Sequence, residues 1–145
     1  MSIIKLLKFE EGFRSKPYKC TAGRWSIGFG YTHGVTEFSQ AITEEEAEKQ
    51  LKDEVALCVK DVMKGLSWAC ELDMVRRDVL VSMRYQLGMN GLLGFSNFLK
   101  AMRDGDWLKA AQELRNSKFH RQCSNRVNRL IYMVVNGRYP EVILA

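Results

Sequence analysis

Apolar positions recur at helical spacing along most of the chain, with one alternating stretch near the start. Ile3, Ile4, Leu6, Leu7 and Phe9 form a short amphipathic stripe. It predicts a helix ending at Glu11, with Gly12 just past its C-terminus. The segment divides at Pro17. Beyond it, Trp25-Ser26-Ile27-Gly28-Phe29-Gly30-Tyr31 alternates strictly, which predicts a half-buried strand. Ala22-Gly23 supplies the turn of a hairpin. Thr43-Glu44-Glu45-Glu46 is a capping box, with a hydroxyl at the N-cap and a carboxylate three residues on. The helix it opens carries Ala47, Leu51, Val55, Cys58, Val59 and Val62 on one face and ends at Gly65.

The remaining half reads as helix after helix. Asp73 starts one with Val75, Val79, Met83 and Leu87, stopped by Gly88. Phe95, Phe98, Leu99 and Met102 mark a shorter one ended by Gly105. Asp106 caps another holding Trp107, Ala110, Ala111 and Leu114. Ser124 caps the last, with Val127, Leu130, Ile131 and Val134, closed by Asn136-Gly137. The fold class is therefore α+β, mainly helical. At 145 residues one compact domain is the natural prior. It divides into a small N-terminal lobe over about 12–42 and a helical lobe over about 66–145. The N-terminal helix joins the second, and the helix of about 43–64 is long enough to bridge the two.

Composition narrows the class. With 46% hydrophobic residues the chain can bury a core. The net charge of +5 is uneven: residues 1–72 carry −1 and residues 73–145 carry +6. A basic second half suits a polyanionic partner. No helix concentrates Lys and Arg enough to read a nucleic-acid groove, so no nucleic acid is expected. No signal sequence and no run of membrane-spanning length is visible, which points to a cytoplasmic start without stable membrane insertion. The four cysteines show no CxxC pair, and His33 and His120 complete no zinc spacing. Free thiols, no metal and no cofactor are expected, with Cys58 a plain core residue.

The chemistry concentrates in E-G-F-R-S-K-P-Y-K-C-T-A-G-R-W-S-I-G-F-G. Eight residues separate Glu11 from Cys20, and five separate Cys20 from Ser26. Glu11 at a helix end would face a hairpin carrying Cys20 and Ser26. Glycosidic hydrolysis needs a protonated acid for the leaving oxygen and a second group for water or the developing cation. Cys20 could act as base or nucleophile if ionised, or position water as a thiol. Ser26 offers a hydroxyl to hold that water.

This segment resembles the active-site signature of the T-even-phage-type lysozymes, glycoside hydrolase family 24. That family shows Glu, eight residues, Asp or Cys, five residues, then Thr followed by I-G-x-G. Further matches are Asp73-Met74-Val75-Arg76-Arg77, Tyr85-Gln86-Leu87-Gly88, Gly94-Phe95-Ser96-Asn97, and Ser117-Lys118-Phe119 through Asn125-Arg126. The likeness runs from about residue 3 to 139. Ser26 stands where the family has Thr, which removes the methyl that fixes the rotamer. Phe119 replaces a Trp, Tyr31 replaces a His, and the loop after the hairpin is shorter.

The resemblance implies a lysozyme-like fold in which a long helix links the two lobes. It implies Glu11, Cys20 and Ser26 as catalytic residues. It places Tyr85, Gln86 and Phe98 along a saccharide cleft, and Arg126 near the acid or the substrate. The substrate would be bacterial peptidoglycan, cut between N-acetylmuramic acid and N-acetylglucosamine. The enzyme would be a monomeric phage endolysin. It would accumulate in the host cytoplasm and reach the periplasm and wall through a lesion made by a membrane-permeabilising phage protein. Other readings of the residues are a lytic transglycosylase, a noncatalytic wall-binding module, and a cysteine hydrolase pairing Cys20 with His33 or His120.

Overall fold

The computed structural model describes residues 2–20 and 23–145. It forms two compact units, Met1–Leu57 and Cys58–Ala145. The architecture is α+β and mainly helical, as the hydrophobic pattern predicts.

The first unit opens with helix α1, Ser2–Glu11, which buries Ile3, Ile4, Leu6 and Leu7. Phe9 does not join them: it is 48% exposed, because at 3.6 residues per turn position 9 falls on the far side of the helix from that face. The helix ends with the Gly12 N–H bonded to Lys8 O at 3.0 Å. Strand β1, Arg14–Lys19, then pairs antiparallel with β2, Trp25–Gly28. Pro17 lies inside β1 rather than before it. A two-stranded ladder tolerates the missing N–H there, since the register is irregular between Arg14 and Tyr18. Ala22 of the expected turn lies outside the described residues. Gly23 closes the hairpin by an N–H bond to Cys20 O at 2.9 Å.

The alternation from Trp25 to Tyr31 overstates the strand. The chain folds back after Gly28, and Ile27 and Tyr31 exchange two backbone bonds of 2.9 Å as an isolated bridge. Ser26, Ile27, Gly28 and Phe29 are all buried, so the segment is enclosed rather than half-wet. Gly28 makes this possible: a Cβ there would lie 3.0 Å from that of Ala47, the first buried residue of helix α2, Glu44–Gly65. The capping box at its start forms as read. Glu46 N–H donates to Thr43 Oγ1 at 3.1 Å, and Thr43 N–H donates to Glu46 Oε1 at 3.0 Å. A Lys8–Glu48 ion pair ties α1 to α2. Ala47, Leu51, Val55, Cys58 and Val62 are buried along α2 as the stripe requires.

The second unit takes the end of α2 and continues through a 3-10 turn, Ser67–Glu71, into α3, Met74–Leu93. Asp73 caps α3 by accepting from the Arg76 N–H at 3.1 Å. Gly88 interrupts α3 at φ 78 and ψ 166, but helical structure resumes to Leu93. Glycine breaks the ladder locally without preventing the next turn from nucleating on the first. Helices α4, Ser96–Asp104, and α5, Trp107–Arg115, follow with Gly105 and Asp106 between them. The short α6, Lys118–Gln122, was not legible; it is too brief to show a periodicity. Helix α7, Ser124–Asn136, ends at Gly137, and α8, Glu141–Leu144, closes the chain. Ser124 is the first residue of α7 rather than its cap; Cys123 holds that place without a side-chain bond.

A buried pair crosses this unit from α3 to the segment before α8. Tyr139 O–H donates to Asp78 Oδ2, and both side chains are inaccessible. Burial raises the Asp78 carboxyl above its ordinary range, outweighing the Tyr139 bond and nearby Arg77. Stability from this group is therefore full below its unfolded value and is lost as pH rises through the folded one. Asp78→Asn keeps an acceptor for Tyr139 and removes the buried charge. It is expected to match or exceed the parent in stability at pH 7 and to gain less on acidification. Chemical denaturation at pH 7 and pH 5 checks this. A loss of more than about 1 kcal/mol at pH 7, the centre of the range for point substitutions, contradicts it.

Candidate functional site

Four side chains converge in the first unit. Glu11 is half-buried at the last position of α1. The tight return after β2 brings Gly30 against it: a Cβ at Gly30 would sit 2.8 Å from Glu11 Oε1. Gly30 has φ +81, a conformation L side chains seldom adopt. The backbone at Gly30 thus forms one wall of the carboxylate's seat, and only glycine leaves the space.

The hairpin supplies the other members. Cys20 is half-buried just past β1, its N–H bonded to Arg24 O at 2.8 Å. Ser26 is 2% exposed on β2, directly opposite Tyr18 in the ladder. Residues opposed across an antiparallel pair point to the same face. Tyr18 and Ser26 thus stand on one face of the hairpin. Burial raises the phenol's pKa, and the Glu11 and Cys20 groups add to the rise; Arg14 opposes it. The Arg14 guanidinium lies over the Tyr18 ring, 4.5 Å from its centroid. Tyr18 was absent from the residues read as chemical in the sequence. The available signal was its place two residues before Cys20 on an extended segment.

A proton carrier, a thiol and two hydroxyl groups therefore share one small region built from a helix end and a hairpin. That set can protonate a leaving oxygen and hold a water molecule. His33 is exposed, with Nε2 3.2 Å from Glu54 Oε2 on α2 and its ring edge-on to Tyr31. His120, in the second unit, meets Asn128 Oδ1 at 2.8 Å. Among the described residues, no group of three or more His, Cys, Asp or Glu side chains could hold a metal ion.

The four residues expected to bind saccharide all lie in the second unit. Tyr85 and Gln86 are half-buried on α3, and Arg126 is half-buried on α7. Gln86 Nε2 donates to Cys123 Sγ at 3.6 Å, while its Oε1 is buried with no hydrogen-bond partner among the described residues. Phe98 is only 1% exposed. Its ring packs edge-on against Phe95, which in turn meets Phe119. Phe98 thus has almost no surface to offer a sugar and serves the core of α4. Its helical spacing with Leu99 and Met102 is that of a packing stripe, and the structure uses it so.

The family model described as phage lysozyme matches residues 8–132. The chain is 27% identical to "Probable T4-type lysozyme 1" of Dictyostelium discoideum, over 94% of its own length and 95% of that protein's. It is 32% identical to an endolysin of Acyrthosiphon pisum secondary endosymbiont phage 1, covering 74% and 71% of the two chains. An endolysin of Bacillus phage B103 is 38% identical over 76% of this chain, which spans 41% of that longer protein.

Proposed function

Since the chain belongs to the phage lysozyme family, we propose that it is an endolysin that hydrolyses the β-1,4 bond between N-acetylmuramic acid and N-acetylglucosamine in peptidoglycan. The observation that supports this most is the seating of Glu11 against Gly30, beside Tyr18, Cys20 and Ser26. Glu11 donates its proton to the glycosidic oxygen as the C1–O bond breaks. Ser26 holds the water whose oxygen then bonds to C1, and the water's proton passes to the Cys20 thiolate as base. Tyr85, Gln86 and Arg126 are the proposed binding residues. Both units would act as one catalytic domain, as a monomer.

Endolysin relatives also support a role in lysing the host cell. The protein would accumulate in the cytoplasm and pass to the wall through a lesion made by another phage protein. Among the described residues no helix is long and apolar enough to cross a membrane.

Incubation with purified peptidoglycan, followed by analysis of the glycan ends, tests the reaction. Reducing N-acetylmuramic ends are expected. Ends in the 1,6-anhydro form would make the protein a lytic transglycosylase instead, and intact glycan would leave only a binding module. Gly30→Ala tests the seat of the acid. Its Cβ must displace the Glu11 carboxylate, and a misplacement of about 1 Å can cost up to ~10²-fold in rate. A loss of about tenfold or more in glycan cleavage is expected, with the far-ultraviolet dichroism unchanged. Wild-type rates in Gly30→Ala would show that the carboxylate does not need this wall.

A further inference from the structure

We infer that Arg14 binds a free carboxylate of the peptide stem carried by the muramic residue, and so favours glycan that bears stems. The inference rests on peptidoglycan being the substrate. It starts from the distribution of charge. The first unit holds eight Lys or Arg and nine Asp or Glu. Between Glu11 and Glu37, however, the chain has no acidic residue and four of those cations: Arg14, Lys16, Lys19 and Arg24. All four are exposed. Among the described residues none of them forms an ion pair. Such a cluster repels itself and is complementary to an anion from outside the fold.

The register singles out Arg14. It pairs with Gly28, two residues beyond Ser26 on β2, which puts it on the Ser26 face of the hairpin. Its guanidinium lies over the ring of Tyr18, on that same face, 4.5 Å from the centroid. Lys19 pairs with Trp25, one residue before Ser26, and so belongs to the opposite face. Stacking uses the flat side of a guanidinium and leaves the N–H fork at its edge open. It also restricts a rotamer-rich side chain before a ligand arrives, which lowers the cost of ordering it. Arg14 follows Glu11 by three residues, so their Cα atoms lie within about 11 Å at ~3.6 Å per residue. The stem branches from the lactyl ether of the muramic residue, next to the bond that Glu11 protonates. A carboxylate on that stem is a planar two-oxygen acceptor, which the fork matches with two parallel hydrogen bonds.

The test compares cleavage kinetics on soluble, uncrosslinked peptidoglycan and on the same material with its stem carboxylates converted to amides. On the untreated glycan, Arg14→Gln is expected to raise KM about tenfold, the scale of one lost hydrogen-bonded contact to a charged group, with kcat within about twofold. Arg14→Lys keeps the charge and loses the fork, so a rise of about threefold is expected. Lys19→Gln removes the same charge from the other face and should stay within about twofold of the parent. On the amidated glycan, Arg14→Gln and the parent should have KM values within about twofold of each other. Parental KM for Arg14→Gln on untreated glycan overturns the inference. So does an equal KM rise on both substrates, which would move the contact from the carboxylate to the sugar. A rise in Lys19→Gln as large as in Arg14→Gln overturns it too, leaving a diffuse attraction in place of a contact. If the parent cleaves neither substrate, the proposed reaction fails and takes this contact with it. If the parent cleaves normally and only the Arg14 comparison fails, the reaction stands without the contact.

Discussion

Glu11→Gln should fold like the parent and lose about 10²-fold or more of its peptidoglycan-cleaving rate. The side chain is nearly isosteric, so the seat against Gly30 is kept. What disappears is the transferable proton, and general acid catalysis is worth ~10²–10⁴-fold. The position matters as much as the chemistry. Glu11 is the last residue of α1, whose buried Ile3, Ile4, Leu6 and Leu7 anchor the helix. The carboxylate is thus carried on a rigid element rather than a loop. Initial rates on purified peptidoglycan, with thermal unfolding measured alongside, decide the matter. A cleanly folded Glu11→Gln protein with near parental rates would remove the glycosidase mechanism proposed for this site.

How much of this was legible before any coordinates depends on the length scale of the signal. The long stripes from Ala47 to Val62 and from Val127 to Val134 set two helices, because each repeats over several turns. Local capping chemistry placed the starts of α2 and α3: Thr43 and Asp73 act through their own side chains on backbone groups three residues away. The short elements failed the same test. Helix α6 has five residues and the 3-10 turn has five, fewer than two helical turns each. The strand was over-extended because alternation cannot register a backbone reversal at Gly28 and Gly30. Of the candidate site, the Glu11, Cys20 and Ser26 spacing could be read in one line. Their meeting with Tyr18 could not, because it depends on register across a hairpin with an irregular ladder. Phe98 fell the other way: an aromatic in a helical stripe reads equally as cleft or core, and burial decides it.

Cys20 carries the sharpest remaining test. Cys20→Asp should retain substantial activity, whereas Cys20→Ala should lose most of it, on the order of the ~10²-fold expected for a proton-handling group. Aspartate is similarly short and is anionic at working pH, so it can accept a proton from water or stabilise the glycosyl cation. Alanine has neither lone pairs nor charge. The placement supports the contrast: Cys20 is half-buried, within the electrostatic reach of Tyr18, on the hairpin that carries Ser26. Thiol alkylation adds an independent arm. The parent should be inactivated and the Cys20→Asp protein spared. Cys70 is exposed in both proteins and Cys58 is buried in both, so the Asp variant reports directly on whether modification elsewhere matters. A cysteine hydrolase predicts the reverse, since a carboxylate cannot replace a thiolate attacking an acyl carbon. Rates of the three proteins on the same peptidoglycan preparation separate these cases. Full activity in Cys20→Ala would leave Glu11 as the working acid, with Ser26 as the group that orients the water.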